Sequence, residues 1–377
     1  MIPYGRQWID DEDIAAVVDV LRSEYLTTGP AVNAFEQALV EASGAHRAVA
    51  MNSGTSALHS MYFAAGLSPG DEIVTTPLTF AATANAALYL GASVQFVDVL
   101  PDTGNLDPAA VDAAIGERTR LVVAVDYAGH PADYDELAAV TGARGVTLLA
   151  DAAHSLGATY RGRRVGTLAH ATALSFHPVK PITTAEGGAV VTDDDGLADR
   201  AARFRTHGIT RDPSVMERDD GPWHYEQHDL GFNYRLTDLQ AALGRSQLRH
   251  LDDFIARRRA IAARYLEAFA DVKALSVPPV RDGVEPGWHL FVVRVPTAPL
   301  RRPFFERLRE LGLGVQVHYI PVHYHPYYRD LGFERGSCPV AEDYSARAVS
   351  LPIFPRMTDK EVDRVIATVR SAVTDLV

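Results

Sequence analysis

Val146-Thr147-Leu148-Leu149-Ala150-Asp151 is an apolar run that ends on a carboxylate, and its reading decides the fold. Such a run reads as a buried strand. Working outward, comparable runs stand at Ala48 to Met51, Glu72 to Thr76, Val94 to Val99, Arg120 to Asp126, Ala171 to Phe176 and Gly188 to Thr192, and helical patterns follow several of them. This alternation predicts an α/β fold with a large, mostly parallel sheet covered on both faces. Ligands then bind at the carboxyl ends of the strands.

Residues Thr210 to Gln227 are polar and aperiodic and predict a long loop. Thr237-Asp238-Leu239-Gln240 is a capping box, and Leu239, Leu243, Leu251, Phe254 and Ile255 continue it at helical spacing as one long helix. A strand around His289 to Val295, a helix around Pro303 to Leu311 and a helix after Thr358 follow. At 377 residues the chain exceeds one ordinary core. Two domains sharing a cleft are expected: a large one over 1–255 with an N-terminal arm, and a smaller C-terminal α/β domain over 256–377.

The composition, 47% hydrophobic and 22% charged, is that of a soluble globular protein, and no apolar run is long enough to span a bilayer. The N-terminal residues Met1 to Arg6 lack the pattern of a secretory signal, which predicts a cytoplasmic protein with no membrane partner. Cys338 stands alone, which excludes an internal disulfide and any multi-cysteine metal site. His318, His323 and His325 cluster but are interleaved with Tyr319, Pro321, Val322 and Tyr324 and lack the spacing of helical ligands, so no metal is expected. A net charge of −12 argues against nucleic-acid binding.

The three lysines are Lys180, Lys273 and Lys360. Lys273 lies in a polar turn and Lys360 in the capping box Thr358-Asp359-Lys360-Glu361, so both read as solvated charges. Lys180 does not. It sits in Ser175-Phe176-His177-Pro178-Val179-Lys180-Pro181-Ile182-Thr183-Thr184-Ala185-Glu186-Gly187-Gly188, where Pro178 and Pro181 exclude a regular helix. A lysine desolvated on such a loop loses pKa and becomes a nucleophilic amine; the bland alternative is a buried structural ion pair.

Ser53-Gly54-Thr55-Ser56-Ala57-Leu58 follows a strand and opens a helix, as a phosphate cradle does, although Ser and Thr also simply cap helices. Asp151 at a strand end either caps the next turn or pairs with a protonated ring nitrogen, with His154 three residues on. Phe80, read as starting a helix, either joins the core or stacks on that ring. Cradle, carboxylate, Ser175 and loop lysine together match the needs of pyridoxal phosphate.

The sequence resembles the DegT-type nucleotide-sugar aminotransferases, which are fold-type-I pyridoxal-phosphate enzymes. The resemblance runs through Leu26-Thr27-Thr28-Gly29-Pro30, Ser53 to Leu58, Asp151-Ala152-Ala153-His154, Ser175 to Gly188 and Gly231-Phe232-Asn233-Tyr234-Arg235-Leu236. It implies that Lys180 carries the cofactor as a Schiff base and moves protons, and that Asp151 pairs with the pyridine nitrogen. By the same resemblance Gly54, Thr55, Ser56 and Ser175 cradle the phosphate, Phe80 stacks on the ring and His154 lies near its phenolic oxygen. Asn233 would reach a neighbouring subunit's phosphate, which implies a homodimer. Tyr4, Tyr25, Leu26, Thr27, Gln316, Val317, His318 and Tyr319 match positions of the sugar-nucleotide pocket. The block from Ser175 to Gly188, with Val125 to Gly129 and Val317 to Tyr319, resembles the branch that aminates C4 of a UDP-linked 6-deoxy-hexose, with L-glutamate as donor.

Other readings compete. A dTDP-linked ketosugar would suit the same machinery in secondary metabolism. The sugar dehydratases of the family replace the lysine with histidine, which Lys180 opposes. A nicotinamide enzyme needs a Gly-x-Gly-x-x-Gly that is not found after the first strand. A cofactor-binding regulator without turnover remains as a different class.

Overall fold

Period-two burial along the apolar runs builds the central sheet: Leu121 and Val123 face one core, while Val122 and Ala124 face the other. The computed structural model describes residues 1–374. Its strands in chain order are β1 (Arg47–Met51), β2 (Glu72–Thr75), β3 (Ser93–Phe96), β4 (Thr119–Val125), β5 (Thr147–Asp151), β6 (Thr159–Tyr160), β7 (Arg163–Arg164), β8 (Ala171–Ser175), β9 (Gly188–Thr192), β10 (Ile209–Thr210), β11 (Glu226–Gln227), β12 (Val284–Glu285), β13 (Phe291–Arg294) and β14 (Ala348–Leu351). The seven-stranded sheet has the order β1-β9-β8-β5-β4-β2-β3.

The seven runs read from the sequence are the seven strands of this sheet. β2 to β5 and β8 pair in parallel, whereas β9 runs antiparallel to both β8 and β1. Phe35, Leu39, Val111 and Leu137 bring three helices onto one face. Leu58, Met61, Ala84 and Leu197 bring three more onto the other. Both faces are covered, which is why these strands are apolar throughout.

A separate core gathers Ile261, Tyr265, Phe291, Val293, Phe304, Val349, Leu351 and Val365. Leu251 and Ile255 still belong to the first core, so the helix Leu251–Phe269 is shared between the two. Ile2 packs into this second core and pairs with Leu313, which carries the N-terminal arm across the cleft.

Several expectations are corrected. The single long helix is two, Asp238–Leu248 and Leu251–Phe269. Arg249 and His250 bond back to Ser246 and Gln247 at 3.1 and 3.0 Å, a tightened turn that redirects the chain. The strand expected to reach Val99 stops at Phe96, and Val99 instead bridges Leu106. The helix expected from Pro303 starts at Ala298, with Pro299 in its first turn. The predicted loop is closed at its ends by β10 and β11, and the Glu226 carboxylate inside it accepts from the Glu217 and Arg218 amides at 2.8 and 3.1 Å. Among the described residues, no helix is long and apolar enough to cross a membrane.

Candidate active site

At the carboxyl ends of β4, β5 and β8 lies a cavity of about 430 Å³. Ser53 precedes the helix Gly54–Ala64 in an extended conformation, its hydroxyl accepting from the Ser56 amide at 3.0 Å. The first bond made back into this turn is from Ala57 N–H to the Ser53 carbonyl at 3.1 Å, so the N–H groups of Gly54 and Thr55 come before it. A Cβ on Gly54 would lie 3.0 Å from the Ser175 Cβ. The bare glycine therefore lets Ser175, at the end of β8, approach the helix start.

Gly54, Thr55 and Ser175 line the cavity, and Ser56 does not. The Ser56 Oγ accepts from the Ser53 amide at 3.0 Å, which completes the capping box, and its hydroxyl donates to Asn52 Oδ1 at 2.8 Å. The cap reading of Ser56 therefore describes its side chain.

Asp151 ends β5 at 6% exposure. Thr83 Oγ1 donates to it at 2.7 Å and the Ala153 amide at 3.2 Å. Burial pushes its pKa up, against those two bonds and the Lys180 charge. Lys180 lies on a turn closed by its amide donating to the His177 carbonyl at 2.9 Å. Its amine borders the same cavity. Burial lowers its pKa from 10.5 to about 8, and the Asp151 charge pulls it back up. The loop is held from behind by Arg258, a buried guanidinium whose Nη1 donates to the Trp288 and Ile353 carbonyls at 3.2 and 3.0 Å. Its other arm reaches the Val179 carbonyl at 3.5 Å.

His154 Nε2 lies 2.9 Å from the Tyr319 hydroxyl, and its buried Nδ1 has no partner among the described residues. Burial holds this imidazole well below its ordinary pKa. Phe80 borders the cavity at 63% exposure. It stands in the turn before the helix Ala82–Leu88, a correction to its placement at the helix start: that helix begins once the chain has left the strand-end turn.

Tyr4, His318 and Tyr319 line the cavity; Tyr25, Leu26, Thr27, Gln316, Val317 and Asn233 do not line it within this chain. Tyr25 and Leu26 are 52% and 49% exposed. Their segment is fastened elsewhere, by the Asp238 amide donating to the Leu26 carbonyl at 3.0 Å and by a Thr27–Thr237 bridge. Gln316 pairs through its backbone with Ser350, and the residues Gln316 and Asn233 are exposed.

Sequence reasoning did not single out Thr79, Thr83, Glu186 or His289. Thr79 and Thr83 are 2.8 Å apart and carry a hydrogen-bond chain to Asp151; their spacing of four was the available signal. His289 packs its ring 4.4 Å from that of His154, and nothing local announces it. Replacing Thr83 with valine keeps the shape and removes the bond to Asp151. The loss is expected to cost about 1–3 kcal/mol, read as a lowered urea midpoint. An unchanged midpoint would mean that the bond contributes nothing.

Residues 7–370 match the model of the DegT/DnrJ/EryC1/StrS aminotransferase family. The chain is 40% identical over 377 residues to the spore coat polysaccharide biosynthesis protein SpsC of Bacillus subtilis, covering 99% of this chain and 97% of that protein. Helicobacter pylori PseC, an aminotransferase involved in the biosynthesis of pseudoaminic acid, superposes with a TM-score of 0.92 at 34% identity, covering 99% of each chain. The PLP form of the putative sugar aminotransferase Spr1654 from Streptococcus pneumoniae gives 0.93 at 29% identity, over 100% of this chain and 99% of that one.

Proposed function

The chain belongs to the DegT/DnrJ/EryC1/StrS aminotransferase family, and from that premise we propose that it moves an amino group from L-glutamate to the 4-keto carbon of a UDP-linked 6-deoxy-hexose. It is a pyridoxal-phosphate-dependent sugar aminotransferase with an α/β fold of type I. The observation that carries the mechanism is one cleft lined by a half-buried lysine, Lys180, whose pKa burial lowers, and by a buried carboxylate, Asp151.

The residues present fit the cofactor: a helix start bared by Gly54 beside Ser175, a buried carboxylate and an imidazole with an unpartnered Nδ1. Gly54, Thr55 and Ser175 would hold its phosphate, Asp151 its ring nitrogen, His154 its phenolic side and Phe80 its face. When bound, the cofactor supplies an electron sink conjugated to the reacting carbon. Lys180 Nζ is the base that takes a proton from the amino donor's Cα and returns one to the sugar carbon. The Asp151 carboxylate would set a negative charge against a protonated ring nitrogen and so favour its charged form. Tyr319 and His154 close one side of the cleft around that amine.

The C4 and UDP assignment draws on the resemblance of the Ser175 to Gly188, Val125 to Gly129 and Val317 to Tyr319 blocks to that branch, with Tyr4, His318 and Tyr319 in the cleft. A homodimer draws support from the apolar surface: Tyr25, Leu26, Phe80, Trp223, Leu230 and Phe232 are exposed. In it, Asn233 and the Tyr25 to Thr27 segment would complete the neighbour's site. The domain division at 255 and 256 falls within the helix shared by the two cores.

Incubation with glutamate and a panel of UDP- and dTDP-linked ketosugars, read by mass and NMR, tests the substrate. A new amine at C4 of a UDP-linked 4-keto-6-deoxy-N-acetylhexosamine is expected. Amination of dTDP-linked sugars alone would overturn the UDP assignment, and failure with every nucleotide ketosugar would sink the substrate class.

A further inference from the structure

Four imidazoles line the cleft, those of His154, His177, His289 and His318. Among the described residues, His154 and His289 each keep a buried Nδ1 with no partner. His318 differs: its Nδ1 lies 2.8 Å from the Ser350 hydroxyl. Ser350 is a single polar residue in the apolar strand β14, and its side chain has no access to solvent. Its backbone is pinned on both sides, opposite Val292 of β13 and bonded to Gln316. The hydroxyl cannot turn toward water.

That confinement decides where the protons sit. A buried hydroxyl has one hydrogen to place, and leaving it unpaired costs roughly 1–3 kcal/mol. His318 Nδ1 is the acceptor within reach. A nitrogen that accepts must be bare, so the ring hydrogen belongs on Nε2. The rest of the residue is gripped as well. The Tyr127 hydroxyl donates to the His318 carbonyl, and the Tyr4 ring lies 5.4 Å from the imidazole.

We propose that Ser350 is a positioning residue that fixes His318 as its Nε2–H tautomer, so that the cleft offers a hydrogen-bond donor to a carbonyl-type oxygen of the sugar substrate. This rests on the reading of His318 as a sugar contact. Burial, and then the Lys180 charge, hold the His318 pKa down at about 4. The ring therefore stays neutral, and the donor persists, at neutral pH. A carbonyl oxygen can only accept, so a fixed donor complements it. A sugar with a hydrogen in place of that oxygen leaves the donor unpaired.

The test uses the pyridoxal-phosphate-loaded enzyme labelled with nitrogen-15 in its histidine rings. Long-range proton–nitrogen spectra give the tautomer, and the His318 signals are those lost in His318→Gln. The parent enzyme is expected to show a bare Nδ1 and a protonated Nε2. Ser350→Ala is expected to give a tautomer average or the reverse form, and Ser350→Thr, which keeps the hydroxyl, to restore the parent pattern. In turnover, Ser350→Ala should raise KM for the ketosugar roughly tenfold, the size of one hydrogen bond, and more than it lowers kcat.

A protonated Nδ1 in the parent enzyme overturns the proposal, and so does an unchanged His318 spectrum in folded Ser350→Ala. Should Ser350→Ala fail to fold, the parent spectrum alone decides. The tautomer is measured without substrate. A bare Nδ1 together with failure on every ketosugar would therefore sink the substrate reading and leave the role of Ser350 standing.

Discussion

Replacing Lys180 with alanine is expected to stop turnover, with a loss of at least about 10²–10⁴-fold, the span of a positioned general base. The amine borders the cavity, and the only other lysines of the chain, Lys273 and Lys360, do not line it. Nothing else there can both condense with an aldehyde and move the proton. Two readouts isolate the role. Borohydride treatment should leave no cofactor mass on the peptide holding residue 180, and small exogenous amines should restore part of the rate. Alanine with parental turnover would refute the mechanism.

The same amine carries a pH signature. Its pKa is lowered from 10.5 to about 8 because burial disfavours the charged form. Nucleophilic labelling of Lys180 in cofactor-free protein should therefore rise through a midpoint near 8, as the ammonium gives up its proton.

Asp151→Asn is expected to have the second largest effect, lowering kcat by about 10²–10³-fold, as when one preorganised electrostatic contact to developing charge is removed. The substitution keeps shape and burial but removes the anion proposed to face the ring nitrogen. It also acts on Lys180. The Asp151 charge raises the lysine pKa, so the labelling midpoint should fall below 8 in the variant. A midpoint that stays put, with kcat preserved, would show that Asp151 does no more than cap the turn at Ala153, the bond it accepts at 3.2 Å.

Both residues stand out in the amino-acid sequence by their local surroundings. The seven sheet strands were legible because each is a short apolar run buried on both faces, and such burial leaves its mark on consecutive side chains. Lys180 was legible because it is a rare residue in a segment that two prolines keep from being helical. The cap at Thr358 was legible because its bond to the Glu361 amide, 3.2 Å, spans three residues.

What was not legible is long in sequence and short in space. Thr83 meets Asp151 across 68 positions, Ser350 meets His318 across 32 and Arg258 meets Val179 across 79. No local pattern foretells such meetings, because a threonine, a serine or an arginine is equally at home on a solvated surface. The break at His250 and the reversed direction of β9 belong to the same class. The interruption of the helix and the pairing direction were set by what each segment packs against. Hydrophobic periodicity, proline stiffness and local caps act over a few residues, so the sequence by itself determined the strands, the sheet and the lysine loop. Packing of the second core, which Ile2 joins, against the sheet decided which polar groups lose water together. Desolvation there, a property of the assembled cleft, lowers the Lys180 pKa and confines the Ser350 hydroxyl to His318.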